Sequence, residues 1–248
     1  MTAEPPEESP APDVARSRRR WWQFRLRTVL VISLLLALTL GWQVNRASRQ
    51  RRAVAAIRDL GGHVYYSHDI GGREAERNPV GRATQWIGER FGRDLVDRVT
   101  WVDIEGVAVR DDDLVWIAAI PSLELLRIDG SEITAEGLEH FAALDRLEVL
   151  SLPNHRHLAN GLVHLEGLGR LRSIVLSNTD TGDEHAAVLV RIKSLENIDL
   201  DDSEVTDAAL ETLAQLPRLT NLLVGGTHVT DAGVARFREA HPTVRIED

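Results

Sequence analysis

From Val99 onward the apolar positions recur every 24 residues, six times, without insertion or deletion. Val99, Leu123, Leu147, Leu171, Leu195 and Leu219 open the copies. Three residues later stand Val102, Leu126, Leu150, Ile174, Ile198 and Leu222, and two further on Ile104, Ile128, Leu152, Leu176, Leu200 and Val224. Apolar residues two apart predict a short strand with one buried face. A second apolar set follows at Leu114/Ile117, Leu138/Phe141, Leu162/Leu165, Ala186/Leu189, Leu210/Leu213 and Val234/Phe237. Its spacing of three, continued by Ile120, Leu144, Leu168, Ile192 and Leu216, predicts a helix in each copy. The turns between end in helix-start chemistry: in Thr206-Asp207 and Thr230-Asp231 the Thr oxygen can cap free amides, and the Asp suits the positive end of the helix dipole. No copy can bury its apolar face alone, so neighbours must stack, at about 4.8 Å per strand.

This pattern resembles leucine-rich repeat proteins, of the type L-x-x-L-x-L-x-x-[ST]-x-[VI]-T-D-x-[GA]-L. The clearest copies are Leu195–Leu200 with Val205-Thr206-Asp207, and Leu219–Val224 with Val229-Thr230-Asp231-Ala232-Gly233. The resemblance covers residues 98–248 and implies an α/β fold, a right-handed β-α superhelix shaped as a horseshoe solenoid. Many such proteins carry Asn just after the strand, where it ties adjacent turns together. Here that column reads Val107, Ser131, His155, Thr179, Ser203 and Thr227: hydroxyls stand in at four positions, and Val107 and His155 depart from the pattern.

A different pattern governs the N-terminal end. Thr28 to Asn45 holds no formal charge, and ten of its residues are Val, Ile or Leu, with Leu30, Leu34, Leu36, Leu40 and Val44 distributed all round a helix. At 1.5 Å per residue the stretch spans roughly 27 Å, close to the hydrocarbon thickness of a bilayer. Those ten residues favour insertion by roughly 3–6 kcal/mol, and Trp21, Trp22 and Trp42 stand where interfacial aromatics belong. The expectation is one transmembrane helix ahead of the solenoid. Thr39-Leu40-Gly41-Trp42 is a poor cleavage site, so an uncleaved signal-anchor is favoured. Six arginines precede the span and five follow it closely, a small bias that favours the repeats on the outer side of the cell membrane.

The segmentation expected is therefore an acidic, Pro-rich leader and basic flank (1–27), a span (28–45), a juxtamembrane helix and N-terminal cap (46–97), six repeats (98–241) and a C-terminal cap strand (242–248). Within the cap, Arg49–Leu60 reads as a helix stopped by Gly61-Gly62, Val64-Tyr65-Tyr66 as a strand, 69–79 as a loop and 83–91 as a second helix. The order of basic Trp-flanked span, A-V-A-A-I-R-x-L-G-G-x-V-Y-Y and repeats is similar to a group of bacterial single-pass membrane proteins, which implies membrane anchorage and a recognition surface.

Charge narrows the partners. Residues 1–60 hold eleven Lys/Arg against five Asp/Glu, and the remainder eighteen against thirty-three. The basic belt suits anionic headgroups beside a bilayer, whereas an acidic repeat surface disfavours nucleic acid. Cysteine is absent, which removes disulfides, thiol catalysis and Cys-ligated zinc. No nucleophile–base order, phosphate loop or carboxylate pair rises above background, and neither enzyme nor cofactor is expected.

Candidate binding residues are the outward strand positions of the concave face: Trp101, Asp103, Leu125, Arg127, Val149, Ser151, Val175, Asn197, Asp199 and Leu223. The irregular third-copy turn adds His155 and His157, too few ligands for a metal. Glu105, Asp129 and Asp201 share a column, but Pro153 and Ser177 separate the third from the first two, so no cation cage is expected. The reading is a membrane-anchored, non-catalytic scaffold for a protein or envelope polysaccharide. Two alternatives stand beside it: an intracellular adaptor resembling the substrate-binding repeat half of ubiquitin-ligase receptors, and a structural spacer.

Overall fold

The computed structural model describes residues 15–67, 97–106 and 109–248, with side chains placed from residue 27 onward. The loop expected at 69–79, the helix expected at 83–91, Val107 and the side chains of Trp21 and Trp22 lie outside the described residues. The chain divides into two units, Met1–Arg46 and Ala47–Asp248.

Helix α1 runs continuously through Ala15–Asp59 and takes in both the apolar stretch and the Arg49–Leu60 segment read as a helix leaving it. It contains the one helix among the described residues that is long and apolar enough to cross a membrane. Leu30, Leu34, Leu36, Leu40 and Val44 are more than half exposed, so this face meets no protein core. The hydroxyls of Ser33 and Thr39 donate to the carbonyls of Leu30 and Leu36 at 3.0 and 2.9 Å, which turns their polarity back onto the helix. Arg46 lies over the Trp42 ring at 5.8 Å.

The helix stops where Gly61 takes φ +82°. The Gly61 amide donates to the Arg58 carbonyl and the Gly62 amide to that of Ile57, both at 2.9 Å, a Schellman closure. The last turns of α1 enter the core of the second unit through Ala53, Val54 and Ile57. Contact is so close at Gly62 that a Cβ would meet Ile57 Cγ2 at 2.8 Å and Ile104 Cγ1 at 2.9 Å.

The second unit is an eight-stranded sheet in strict sequential order. β1 (His63–Tyr66) pairs antiparallel with β2 (Val99–Glu105). All later neighbours are parallel: β3 (Leu125–Asp129), β4 (Val149–Ser151), β5 (Ser173–Val175), β6 (Asn197–Asp199), β7 (Asn221–Leu223) and β8 (Arg245–Glu247). Their register places Trp101, Leu125, Val149, Ser173, Asn197, Asn221 and Arg245 opposite one another, so the offset from strand to strand is the sequence period itself. Residues at the 102 and 104 positions point inward and are buried, and the 114 and 117 positions return from the other side to meet them. The result is a leucine-rich repeat solenoid preceded by a helix.

The return segments are not uniform. Copies one, four, five and six contain α2 (Leu114–Ala118), α3 (Asp183–Leu189), α4 (Asp207–Leu213) and α5 (Asp231–Ala240). Copies two and three instead form 3-10 turns over Gly137–Ala143 and Ala159–Leu165, a departure from the helix expected in every copy. A spacing of three suits a 3-10 turn as well as an α-helix, and Leu138, Phe141, Leu162 and Leu165 are buried either way.

An Asp–Thr clamp separates the two kinds of copy. The Thr206 amide and hydroxyl donate to the two Asp183 carboxylate oxygens at 2.8 and 2.7 Å. Thr230 repeats this on Asp207 at 2.8 and 2.9 Å, and Thr134 on Asp111 at 2.9 and 2.6 Å. The same Thr residues cap their own helices, Thr206 accepting from the Ala208 amide and Thr230 from that of Gly233. Each Asp thus sits at the positive end of its own helix while fastening the next copy. Copies two and three carry Ala135 and Ala159 at the Asp position, so neither grips the copy that follows it in this way.

At the C-terminal edge, Arg238 donates to the Ile246 carbonyl at 3.1 Å and to Asp248 at 2.8 Å, covering an edge that would otherwise offer an open carbonyl. Asp183→Ala removes two hydrogen bonds and is expected to destabilise the folded chain by about 1–3 kcal/mol in urea unfolding. Asp231→Ala, which has no following Thr to hold, should stay within about 0.5 kcal/mol of the parent.

Candidate functional site

Because alternate strand residues point out, the register sorts the open face into two parallel columns. The first is Trp101, Leu125, Val149, Ser173, Asn197, Asn221, Arg245; the second Asp103, Arg127, Ser151, Val175, Asp199, Leu223, Glu247. Every strand residue expected on the binding face, from Trp101 and Asp103 through Leu223, therefore does lie on this one face. All are partly exposed.

The face changes character along its length. At the β2 end, Tyr65 stacks on Trp101 with ring centroids 4.3 Å apart, and the stripe continues over Leu125 and Val149. Beside it Arg127 is ringed by acids: it bonds Asp129 at 3.0 Å, contacts Glu105 and stands 3.8 Å from Asp103. Three polar atoms on β2, Thr100 Oγ1, Trp101 Nε1 and Asp103 Oδ1, are buried without a hydrogen-bond partner among the described residues.

Towards β8 the apolar first column gives way to amides, and Asn221 donates to Asn197 at 2.5 Å. Here the face sinks into a depression of about 320 Å³ lined by Val175, Asn197, Asp199, Asn221, Leu223 and Arg245. Register places Asp199 between Val175 and Leu223. Burial pushes its carboxyl above the usual range; the Asp201 amide pulls it back, while the charges of Asp201 and Asp202 push the same way as burial.

A rim closes the face at the ends of the strands. Its residues, Gly106, Gly130, Asn154, Asn178, Asp202 and Gly226, all take positive φ, between 53° and 67°. Only Gly, Asn and Asp adopt that conformation readily, and the alternation of these three types in one column was a readable signal that the apolar pattern overshadows. Asn178 donates to Asn154 at 2.7 Å, and Asn154 to Asp129 at 2.6 Å, so the rim amides link three copies to the acidic ring around Arg127. Tyr65 and this amide chain complete the site and were not among the expected binding residues; Asn221 lies on the face as an outward strand position.

His155 requires correction. Expected as a contact residue in the irregular turn, it is 1% exposed and cannot meet a partner. Its Nδ1–H donates to the Pro153 carbonyl at 2.7 Å, which leaves Nε2 to accept from the Ser131 hydroxyl at 2.8 Å and the Ser131 amide at 3.3 Å. It does the inter-copy tying for which the column usually carries Asn. Thr179, Ser203 and Thr227 instead donate to carbonyls three residues back in their own copies, each at 2.6 Å. His157 is exposed on the same turn. No group of three His, Cys, Asp or Glu side chains that could hold a metal occurs among the described residues.

The sequence matches no protein-family model and no curated protein. Solved structures resemble part of it. A leucine-rich repeat protein of Leptospira interrogans is 19% identical over 54% of this chain and 33% of its own, with a TM-score of 0.40. An internalin of Listeria monocytogenes is 17% identical over 60% of this chain and 47% of its own, at 0.44. The leucine-rich repeat ectodomain of a membrane receptor kinase of Arabidopsis thaliana, solved in complex with Casparian strip integrity factor 2, is 17% identical over 53% and 16%, at 0.39. The chain spans less than half the length of each.

Burial holds the His155 imidazole below its ordinary value, against the Pro153 and Leu152 backbone bonds that raise it. Protonation would place a hydrogen on Nε2 facing the Ser131 donors. The unfolded chain takes up a proton near pH 6.5 and the folded chain only lower. Stability should therefore fall as pH drops through and below about 6.5, and His155→Asn should flatten that limb when denaturation midpoints are measured against pH.

Proposed function

We propose that the chain is a membrane-anchored, non-catalytic recognition scaffold that binds a protein through the open, concave face of its sheet. The observation that carries this reading is the stripe Tyr65–Trp101–Leu125–Val149, a row of aromatic and branched side chains in register on the solvent side, where folding asks for none. Tyrosine, tryptophan and arginine are the residues that most often dominate binding energy at protein interfaces, and Tyr65, Trp101 and Arg127 supply all three at one end of this face. Arg127, held by three carboxylates, gives the stripe a fixed polar border.

Anchorage rests on α1. The Thr28–Asn45 stretch is apolar on every side, its Ser33 and Thr39 hydroxyls are satisfied within the helix, and a Trp–Arg pair stands at one end. Flanking arginines suit an anionic headgroup region, and their distribution favours the repeats on the outer side. An envelope polysaccharide would use the same face through its amides and acids.

In cells, the chain should remain in the membrane pellet after carbonate extraction. Leu34→Arg with Leu36→Arg adds about 5–7 kcal/mol against insertion and should release it to the supernatant. A C-terminal tag should be lost on protease treatment of intact cells; protection would place the repeats inside and favour the adaptor reading. In pull-downs from solubilised membranes, Trp101→Ala and Arg127→Ala should each reduce recovery of co-purifying protein about tenfold or more. Unchanged partners would reduce the solenoid to a spacer.

A further inference from the structure

The two ends of the open face are unlike in a way that specifies what would lie across it. At the β2 end the cation is already neutralised: Arg127 is bound by Asp129 and Glu105 and faces Asp103. At the far end the reverse holds. Asp199 has one hydrogen bond, from the Asp201 amide at 3.0 Å, and no cation reaches it among the described residues. Arg245, which lines the same depression, is committed to Glu247 at 2.5 Å. The walls beside the carboxylate are the aliphatic side chains of Val175 and Leu223. Asn197 and Asn221 spend one donor and one acceptor on each other, which leaves the Asn221 amide oxygen and the Asn197 amide N–H groups open to the same space.

An unpaired, half-buried carboxylate between two aliphatic walls costs folding free energy that no internal contact returns. A side chain with an aliphatic stem and a cationic head answers each feature at once, the stem against the walls and the head on the carboxylate. A sugar hydroxyl would leave the charge uncompensated.

We propose that the open face binds an extended polypeptide segment that lays apolar side chains on the Trp101–Leu125–Val149 stripe and inserts one lysine or arginine between Val175 and Leu223 onto Asp199. The inference rests on the binding-face reading above and names the ligand of that same face. Leu125 and Asp199 stand on strands three spacings apart, roughly 14 Å. An extended chain covers that distance in about four residues, so the ligand carries its cation about four residues from its apolar anchor.

The test uses the full chain in detergent micelles and a series of fluorescent peptides with a fixed Trp-Leu pair and one lysine moved a residue at a time. Anisotropy titration should give the tightest binding at a separation of about four residues. Asp199→Asn, and replacement of the probe lysine by norleucine, should each weaken binding about tenfold, and the two together no more than either alone. A cooperative thermal transition of Asp199→Asn at or above the parent's temperature shows that the variant is folded. Equal affinity across the series, or an Asp199→Asn chain that binds like the parent, overturns the proposal. If Trp101→Ala abolishes binding while Asp199→Asn does not, the cation site fails and the binding face stands. If no probe binds, or neither substitution matters, both fail.

Discussion

The register of the parallel sheet is the constraint from which the other features follow. A strand alternates its side chains between core and solvent, so a slip of one residue would turn the whole set of Val102, Leu126, Leu150, Ile174, Ile198 and Leu222 out into water. The chain holds register by giving every copy the same length and the same reversal after its strand. One left-handed residue, at 106, 130, 154, 178, 202 and 226, starts that reversal each time. At Gly226 a Cβ would lie 2.3 Å from Asp202 Oδ1, so the turn is also a tight stack upon the copy before it.

Fastening between copies is achieved by more than one chemistry. Where Asp and Thr are present, a carboxylate grips the next copy and the return segment is α-helical. Through copies two and three, where Ala135 and Ala159 replace Asp, the return tightens to a 3-10 turn, and Gly161 leaves only 2.4 Å between a notional Cβ and the Ala135 carbonyl. Here His155 ties the copies from the other side through Ser131, and the Asn178–Asn154–Asp129 chain does so along the rim. The irregular stretch is held by hydrogen bonds of a different kind rather than loosened.

Much of this was legible in the sequence because burial imposes periodicity. The strand positions, their inward and outward faces, the buried returning residues and the Thr206 and Thr230 caps follow from spacing alone. The helix type did not, since residues three apart share a face in both α and 3-10 geometry and four of the six segments are only seven residues long. The role of His155 was hidden because the residue type suggests chemistry, whereas burial and two fixed partners make it a structural tie. Tyr65 was legible only as part of a strand, because it precedes the periodic region and only an antiparallel pairing brings it beside Trp101.

The distribution of residues on the open face is what register alone does not explain. Core positions are set by packing and rim positions by backbone conformation, but the outward columns answer to neither. A face selected for solubility would alternate small polar groups and paired charges. This one instead gathers Tyr65, Trp101, Leu125 and Val149 at one end and seats an unpaired Asp199 between Val175 and Leu223 at the other. Both arrangements cost stability, through apolar surface left in water and a desolvated charge. Sequences depart from local consistency in this way where function requires it. The two departures occupy opposite ends of one continuous, in-register surface, so a single ligand spanning the strands can relieve both.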